Sequence, residues 1–193
     1  MKIVLASKSG VRKKILDKHG IDSIVSPSNV DEDQVKEALL NKGADPEIIS
    51  KNLAELKSVK VSNKYPDHLV LGADSVISLN LKLINKPKSR EEAYDILKLL
   101  NGNKHHLISS VCISKNGAMI WNYTDKSELK MKSLSDIELK KYLSEIKTEI
   151  LLAYGVYQIE ADGRFLFSKI EGDEDTIMGL PVKKIKEYLS SLK

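Results

Sequence analysis

The sequence predicts an α/β protein in which a mixed, strongly twisted β-sheet is flanked by helices. Three observations carry that expectation. The segment HLVLGADSVISL (68–79) has the continuous apolar character of a buried strand up to Gly72. Capped helical patterns alternate with such strands, the clearest being SREEAYDILKLLNG, with Ser89 and Glu92 at capping-box spacing and Gly102 as its stop. Asn116-Gly117 lies between two β-rich runs as the best short hairpin signal, so antiparallel pairs must interrupt any parallel sheet.

The elements follow in order. KIVLA is a short apolar run and the first strand, and GVRKKILDKHG continues as a helix ended by Gly20. DSIVS is a second short strand. The acidic SNVDED leads into helices over about 33–41 and 46–63, the second with Pro46 in its first turn. After the long strand at 68–79, NLKLINKP returns as a hairpin arm ending at Pro87. The helix at 89–102 and the hairpin spanning 105–132 come next. Ser135 and Glu138 form a second capping box at the head of SDIELKKYLSEIK. RFLFSKIEG is a β segment, and GLPVKKIKEYLSSLK a closing helix with Pro181 at its start. No repeat, low-complexity tract or long linker divides residues 1–193, which are expected to form a single domain, with two lobes about a cleft as one arrangement.

Composition narrows the function. The 193 residues carry 31 basic and 27 acidic side chains, a net charge of +4, with 41% hydrophobic residues. That balance fits an ordinary globular protein and gives no footprint for nucleic-acid binding. The tyrosines and Trp121 are scattered, without the stacking platform of a single-strand binder. No apolar run is long enough to span a membrane, and MKIVLAS reads as a strand rather than a signal peptide. One cysteine, Cys112, excludes an internal disulfide; in ISSVCIS it reads as a buried structural thiol. A reduced, cytoplasmic compartment is expected.

Several residues are candidates for chemistry, each with a plain alternative. Ser7-Lys8-Ser9-Gly10 joins a strand to a helix, where unpaired N–H groups and hydroxyls can hold an anion; Ser9 can equally be only the helix cap. The three cations Arg12, Lys13 and Lys14 stand at the helix end that disfavours positive charge. In LVLGADSV, Asp74 follows a buried run, as a carboxylate at the edge of a sheet or as a turn former. Lys57 in LAELKSVK and Lys86 in INKP are either ligands or solvated lysines. Asp31-Glu32 can supply a metal ligand or begin a helix. His105 and His106 have no carboxylate or cysteine at a metal-binding interval, so one ring is expected to be structural.

Taken together, the order of these pieces resembles the Maf family of nucleoside triphosphate pyrophosphatases, which share the inosine-triphosphatase-like fold. The family's Leu-Ala-Ser-x-Ser-Pro-Arg-Arg stands here as LASKSGVRKKIL, its acidic pair as VDE and its Arg-Leu-Ala-x-x-Lys-Ala as NLAELKS. Gly-Ala-Asp-Thr-Val stands as GADSV, Gly-Lys-Pro as NKP, Leu-Ser-Gly-x-x-His as LNGNKH and the terminal Gly-Leu-Pro as GLP. The match spans nearly the whole chain.

The resemblance implies hydrolysis of a nucleoside triphosphate between its α and β phosphates, with a central cleft as the site. It implies Asp74 as general base, and Ser7, Ser9, Arg12, Lys57 and Lys86 as substrate ligands. It implies a divalent cation, magnesium with manganese or cobalt as alternatives, for which Glu32 and Asp74 are suitable oxygen ligands. A homodimer and a link to arrest of cell division are further implications.

Departures from the pattern bear on specificity. Val11, Ser75 and Glu160 occupy positions that the family associates with choice of base, where members resembling dTTP/UTP pyrophosphatases carry Arg, Thr and Gln. Glu160 offers acceptors only when ionised, which suits a guanine-like edge. The expected substrates are therefore nucleotides with a purine or modified base. EILLAYG replaces the Asp-Lys-Ala-Gly stretch that usually precedes this segment. The rival reading is a non-catalytic module that senses nucleotides or binds a division protein.

Overall fold

The computed structural model describes residues 2–159 and 161–192, and among them one seven-stranded sheet forms the frame. β1 (Ile3–Leu5) lies between β2 (Ser23–Val25) and β3 (Val70–Leu79) and runs parallel to both. β4 (Lys82–Ile84) folds back antiparallel on the end of β3. β5 (Lys104–Lys115) lies antiparallel along the other edge of β3, followed by β6 (Ala118–Met131) and β7 (Phe167–Glu171), each antiparallel to its neighbour. The mixed sheet predicted from the sequence is the one observed.

Local chemistry explains the boundaries. Asn116 and Gly117 both take positive φ, so a two-residue turn joins β5 to β6 as the dipeptide predicts. The β3–β4 turn uses Asn80 and Leu81 in the same way, at φ 50° and 64°. Side chains of Ser9, Asp31, Asp45, Ser89, Ser135 and Asp173 accept a hydrogen bond from the first turn of six helices: α1 (Gly10–Lys18), α2 (Glu32–Leu40), α3 (Pro46–Ser62), α4 (Arg90–Leu100), α5 (Asp136–Glu145) and α7 (Glu174–Ile177). Two further helices are α6 (Thr148–Tyr154) and α8 (Val182–Ser191). The segment expected to be β from Arg164 begins instead with a 3₁₀ turn, Asp162–Leu166, and extends only from Phe167.

The sheet buries both faces. On one, Leu71 and Ala73 of β3 join Ile3, Leu5, Ile15, Leu16, Val182 and Ile185 under α1 and α8. On the other, Val70 meets Val61 of α3, as the period-2 alternation of a strand requires. Gly72 shares that second face, and a Cβ there would lie 2.2 Å from the Ala54 carbonyl and 2.7 Å from the Ser58 nitrogen. α3 thus rests its backbone directly on β3. A second core, built from Leu97, Leu100, Leu129, Leu139 and Phe167, fills the space beneath α4, α5 and α6. No helix among the described residues is long and apolar enough to cross a membrane.

Candidate active site

A gap in strand pairing creates the site. β1 pairs with β3 only as far as Leu71, and β4 takes up the same edge from Ile77, while β5 covers the opposite edge throughout. Beyond Gly72 and Ala73, which stay packed against the helices, Asp74, Ser75, Val76 and Ile77 line a cleft of about 420 Å³. This corrects the sequence-based placement of Asp74. It is neither a turn residue nor the end of a strand; it sits inside β3 opposite Ser110. Small Gly72 and Ala73 do not break the strand, because α3 closes over the glycine and β5 pairs past it.

Asp74 emerges toward α3 and meets Lys57, whose Nζ donates to Asp74 Oδ1 at 2.7 Å. The same Nζ lies 2.7 Å from Glu32 Oε1. Lys57 is 6% exposed, so neither the lysine nor the aspartate is a solvated surface group. The acidic pair divides its work: Asp31 caps α2 by accepting from the Gln34 N–H, and Glu32, one residue on, turns into the cleft. Lys36, a further turn along α2, stands 3.9 Å from Glu32 and also lines the cleft. Sequence reasoning passed over it, although the i,i+4 spacing from Glu32 was there to be read.

Burial and charge drive the two carboxyls in opposite directions. Burial raises the Asp74 pKa above the ordinary carboxyl value, and the opposing pull of Lys57 does not cancel it. Burial acts on Glu32 in the same sense, but Lys57, Lys36 and Lys86 outweigh it and hold this carboxyl below its usual value. Asp74 Oδ2 is buried without a hydrogen-bond partner. The site thus holds one firmly ionised carboxylate beside one made more basic, the separation that divides acid–base labour between similar groups.

The loop before α1 lines the cleft through Ser7, Lys8 and Ser9. Ser7 Oγ accepts from the Ser9 N–H, and Ser9 caps the helix by accepting from the Arg12 N–H. The first N–H groups of α1 have no intrahelical acceptor. Arg12 is largely committed to the protein: Nε donates to the Gly179 carbonyl, one terminal nitrogen to Ser7 Oγ and the Ala73 carbonyl, the other to Ser75 Oγ. Those bonds use four of its five donors. Ser75 Oγ then meets Ser109 Oγ at 3.0 Å, and Ser109 donates to the Thr176 carbonyl. Ser109 and Thr176 were not legible in sequence, since β5 and helix α7 come together beside Ser75 only through the fold. Lys86 Nζ donates to the Ala153 carbonyl at the end of α6. Lys13 turns away and pairs with Asp17.

The rest of the cleft mixes polar side chains, among them Ser28, Asn29, Asn85 and Gln158, with apolar ones. Val11, Ile77, Leu107, Ile177 and Met178 line it together with the coil 155–159 after α6. Glu160 lies outside the described residues. His105 is buried and His106 exposed on β5, while Cys112 is buried on the same strand. The lining thus combines charged groups that suit anionic oxygen with surfaces that suit a flat or aliphatic group.

Residues 2–192 match the family described as Maf-like protein. A nucleoside triphosphate pyrophosphatase of Pelagibacter ubique (strain HTCC1062) is 65% identical over 191 residues, covering 99% of this chain and 98% of its own length. A protein of the same description from Roseobacter denitrificans is 37% identical, covering 97% and 94%. A 7-methyl-GTP pyrophosphatase of Rhizobium etli is 35% identical, covering 99% and 96%.

Proposed function

The chain belongs to the Maf-like family, and on that premise we propose that it is a nucleoside triphosphate pyrophosphatase, a hydrolase of acid anhydrides that opens the bond between the α and β phosphates. The observation that carries the reading is the Asp74–Lys57–Glu32 set, its aspartate and lysine buried at a gap in the sheet beside the start of α1, in a cleft that also has apolar walls. The hollow between those walls takes the base, and the α1 loop with Lys57 and Lys86 faces the phosphates.

The donors fit a hard cation such as magnesium. Glu32 and Asp74 offer oxygen only, and Asp74 Oδ2 is buried with no protein partner. No group of three or more His, Cys, Asp or Glu that could hold a metal occurs among the described residues; magnesium characteristically takes one or two carboxylates and completes its shell with water and phosphate. When bound, such an ion would neutralise charge developing on the phosphate oxygens. Asp74, with its raised pKa, accepts a proton from water as the water oxygen bonds to phosphorus. The bridging oxygen leaves with the other product, so monophosphate and pyrophosphate result. Glu32 stays ionised, and Lys57 holds both carboxylates in register.

The substrate base is a purine or modified base. Val11 places an aliphatic surface where a pyrimidine-selective member carries arginine, and the 7-methyl-GTP name of the Rhizobium relative supports the same direction. Incubation of the pure protein with magnesium and GTP, 7-methyl-GTP, dTTP and UTP tests both claims. Monophosphate plus pyrophosphate is expected, with the purine nucleotides preferred. Diphosphate plus free phosphate would refute the bond assignment. UTP or dTTP as the best substrate would refute the base preference. Absence of turnover would favour a non-catalytic nucleotide-binding module.

A further inference from the structure

We propose that His105 is a positioning residue for the nucleotide base, acting through its hydrogen bond to Tyr157, which sets the cleft wall at 155–159. His105 closes the LNGNKH motif, and none of the phosphate chemistry uses it. It is 1% exposed on β5, and its Nε2 lies 2.9 Å from Tyr157 Oη. Its Nδ1 has no partner, so Tyr157 is the hydrogen-bond partner of this ring among the described residues. Tyr157 and Phe167 pack about it, with centroids 5.7 and 5.8 Å away. Tyr157 also lines the cleft. Its hydroxyl is anchored in the second core while the residue contributes to the ligand surface.

The wall needs such an anchor because it is neither helix nor strand, and so has no ladder to hold it. Two other features act on the same segment. The Gly155 N–H donates to the Leu151 carbonyl, which ties the start of the wall to α6. Gly163 packs against Gln158 so closely that a Cβ would lie 2.4 Å from the Gln158 carbonyl oxygen. The wall is thus fixed at its start by α6, at its middle by His105 and from behind by Gly163. Burial and the neighbouring His106 bring the His105 pKa down to about 4, so the ring is neutral at physiological pH and the tether is insensitive to pH there. A tether that fixes the depth of Tyr157 fixes the width of the apolar hollow. It therefore acts on base binding rather than on phosphoryl chemistry.

This inference rests on the nucleotide reading, and its test separates the two. The variants are His105→Leu, His105→Gln and Tyr157→Phe, the last deleting a single oxygen. Hydrogen exchange of the nucleotide-free protein is measured at amides 155–159, and kinetics with GTP and magnesium follow. For His105→Leu, exchange at the wall is expected to speed about tenfold. KM should rise about tenfold while kcat stays within about threefold and inhibition by pyrophosphate is unchanged. Tyr157→Phe should reproduce this, the double variant should be no worse, and His105→Gln should recover part of the loss. Unchanged exchange and KM in a folded variant would overturn the proposal, as would a fall in kcat at constant KM. If His105→Leu does not fold, Tyr157→Phe decides. Wild-type protein without turnover would defeat the enzymatic reading, and the exchange comparison would still support or overturn the tether.

Discussion

Gly72→Ala tests how the fold makes the site. The new methyl would lie 2.2 Å from the Ala54 carbonyl oxygen, 2.7 Å from the Ser58 nitrogen and 2.9 Å from Ser58 Cβ. The first two are backbone atoms of α3 and cannot rotate aside. An ordinary carbon–oxygen contact is about 3.3–3.6 Å, so α3 must retreat from β3 by about 1 Å. Overpacking of this kind costs about 1–3 kcal/mol. For a chain of this length, about 1 kcal/mol shifts Tm by roughly 2–4 °C, which predicts a fall of roughly 2–12 °C. Lys57 follows Ala54 by three residues, on the same buried stripe of α3. Its 2.7 Å contact with Asp74 is stretched by the same movement, and a 1 Å misplacement of reacting groups can cost about 10²-fold in rate. Thermal unfolding and pyrophosphate release measure the two effects. A Gly72→Ala protein with wild-type Tm and turnover would refute direct backbone contact as the device that brings Lys57 to Asp74.

Asp74→Asn is expected to lower turnover by about 10²–10⁴-fold, read by pyrophosphate release. Its effect on stability depends on pH: because folding raises the Asp74 pKa, stability is lost as pH rises from the ordinary carboxyl value through the folded one. The variant escapes that loss, so its Tm relative to wild type should improve across that window, which melts over a pH series will show. The rising limb of wild-type kcat/KM against pH should be displaced above the ordinary carboxyl range. Lys57→Met leaves Asp74 and Glu32 facing each other without their shared cation, so residual activity should show that limb moved higher still. Breaking the buried pair should also destabilise the fold by about 3–5 kcal/mol in denaturant titration. Leu81→Gly relieves a left-handed leucine that is 82% exposed. Relief of about 1–2 kcal/mol, less about 0.5–1 for glycine's freedom in the unfolded chain, predicts a modest rise in Tm.

Much of the fold was legible because it is encoded locally. Capping side chains at Ser9, Ser89 and Ser135 mark helix starts wherever they occur, and Asn116-Gly117 specifies its turn without help from distant residues. What escaped was short or non-local. Helices α6 and α7 have seven and four residues, too few turns for an apolar period to register. The hairpin return after Leu79 is legible from its β pattern, but its turn conformation is not: Asn80-Leu81 lacks the glycine that announces one, and β-pairing across it imposes positive φ on leucine. Lys57, Glu32 and Asp74 could each be named from the chain, but that one ammonium serves both carboxylates depends on a helix start, a helix middle and a strand interior meeting. Arg12 shows the converse. Three adjacent cations at a helix start look alike in sequence, yet Arg12 ties α1 to Ala73, Ser75 and Gly179 while Lys13 pairs with Asp17 on the surface.

The different behaviour of the two carboxyls follows from which element carries each. Both meet the same Lys57 nitrogen at 2.7 Å, so that contact cannot separate them. Asp74 projects from a strand buried between α3 and β5, and its side chain is 6% exposed; desolvation dominates there. Glu32 projects from the first turn of α2, where its side chain is 38% exposed and Lys36 and Lys86 add their charge to that of Lys57. The positive end of the helix favours its anion further. Exchanging the two residue types would therefore not exchange the roles: a carboxyl at position 74 is made basic by the sheet, and one at 32 is kept charged by the helix start. In the proposed mechanism general base and fixed charge are therefore assigned by backbone topology, and the gap between β1 and β4 opens both carboxyls to the same cleft.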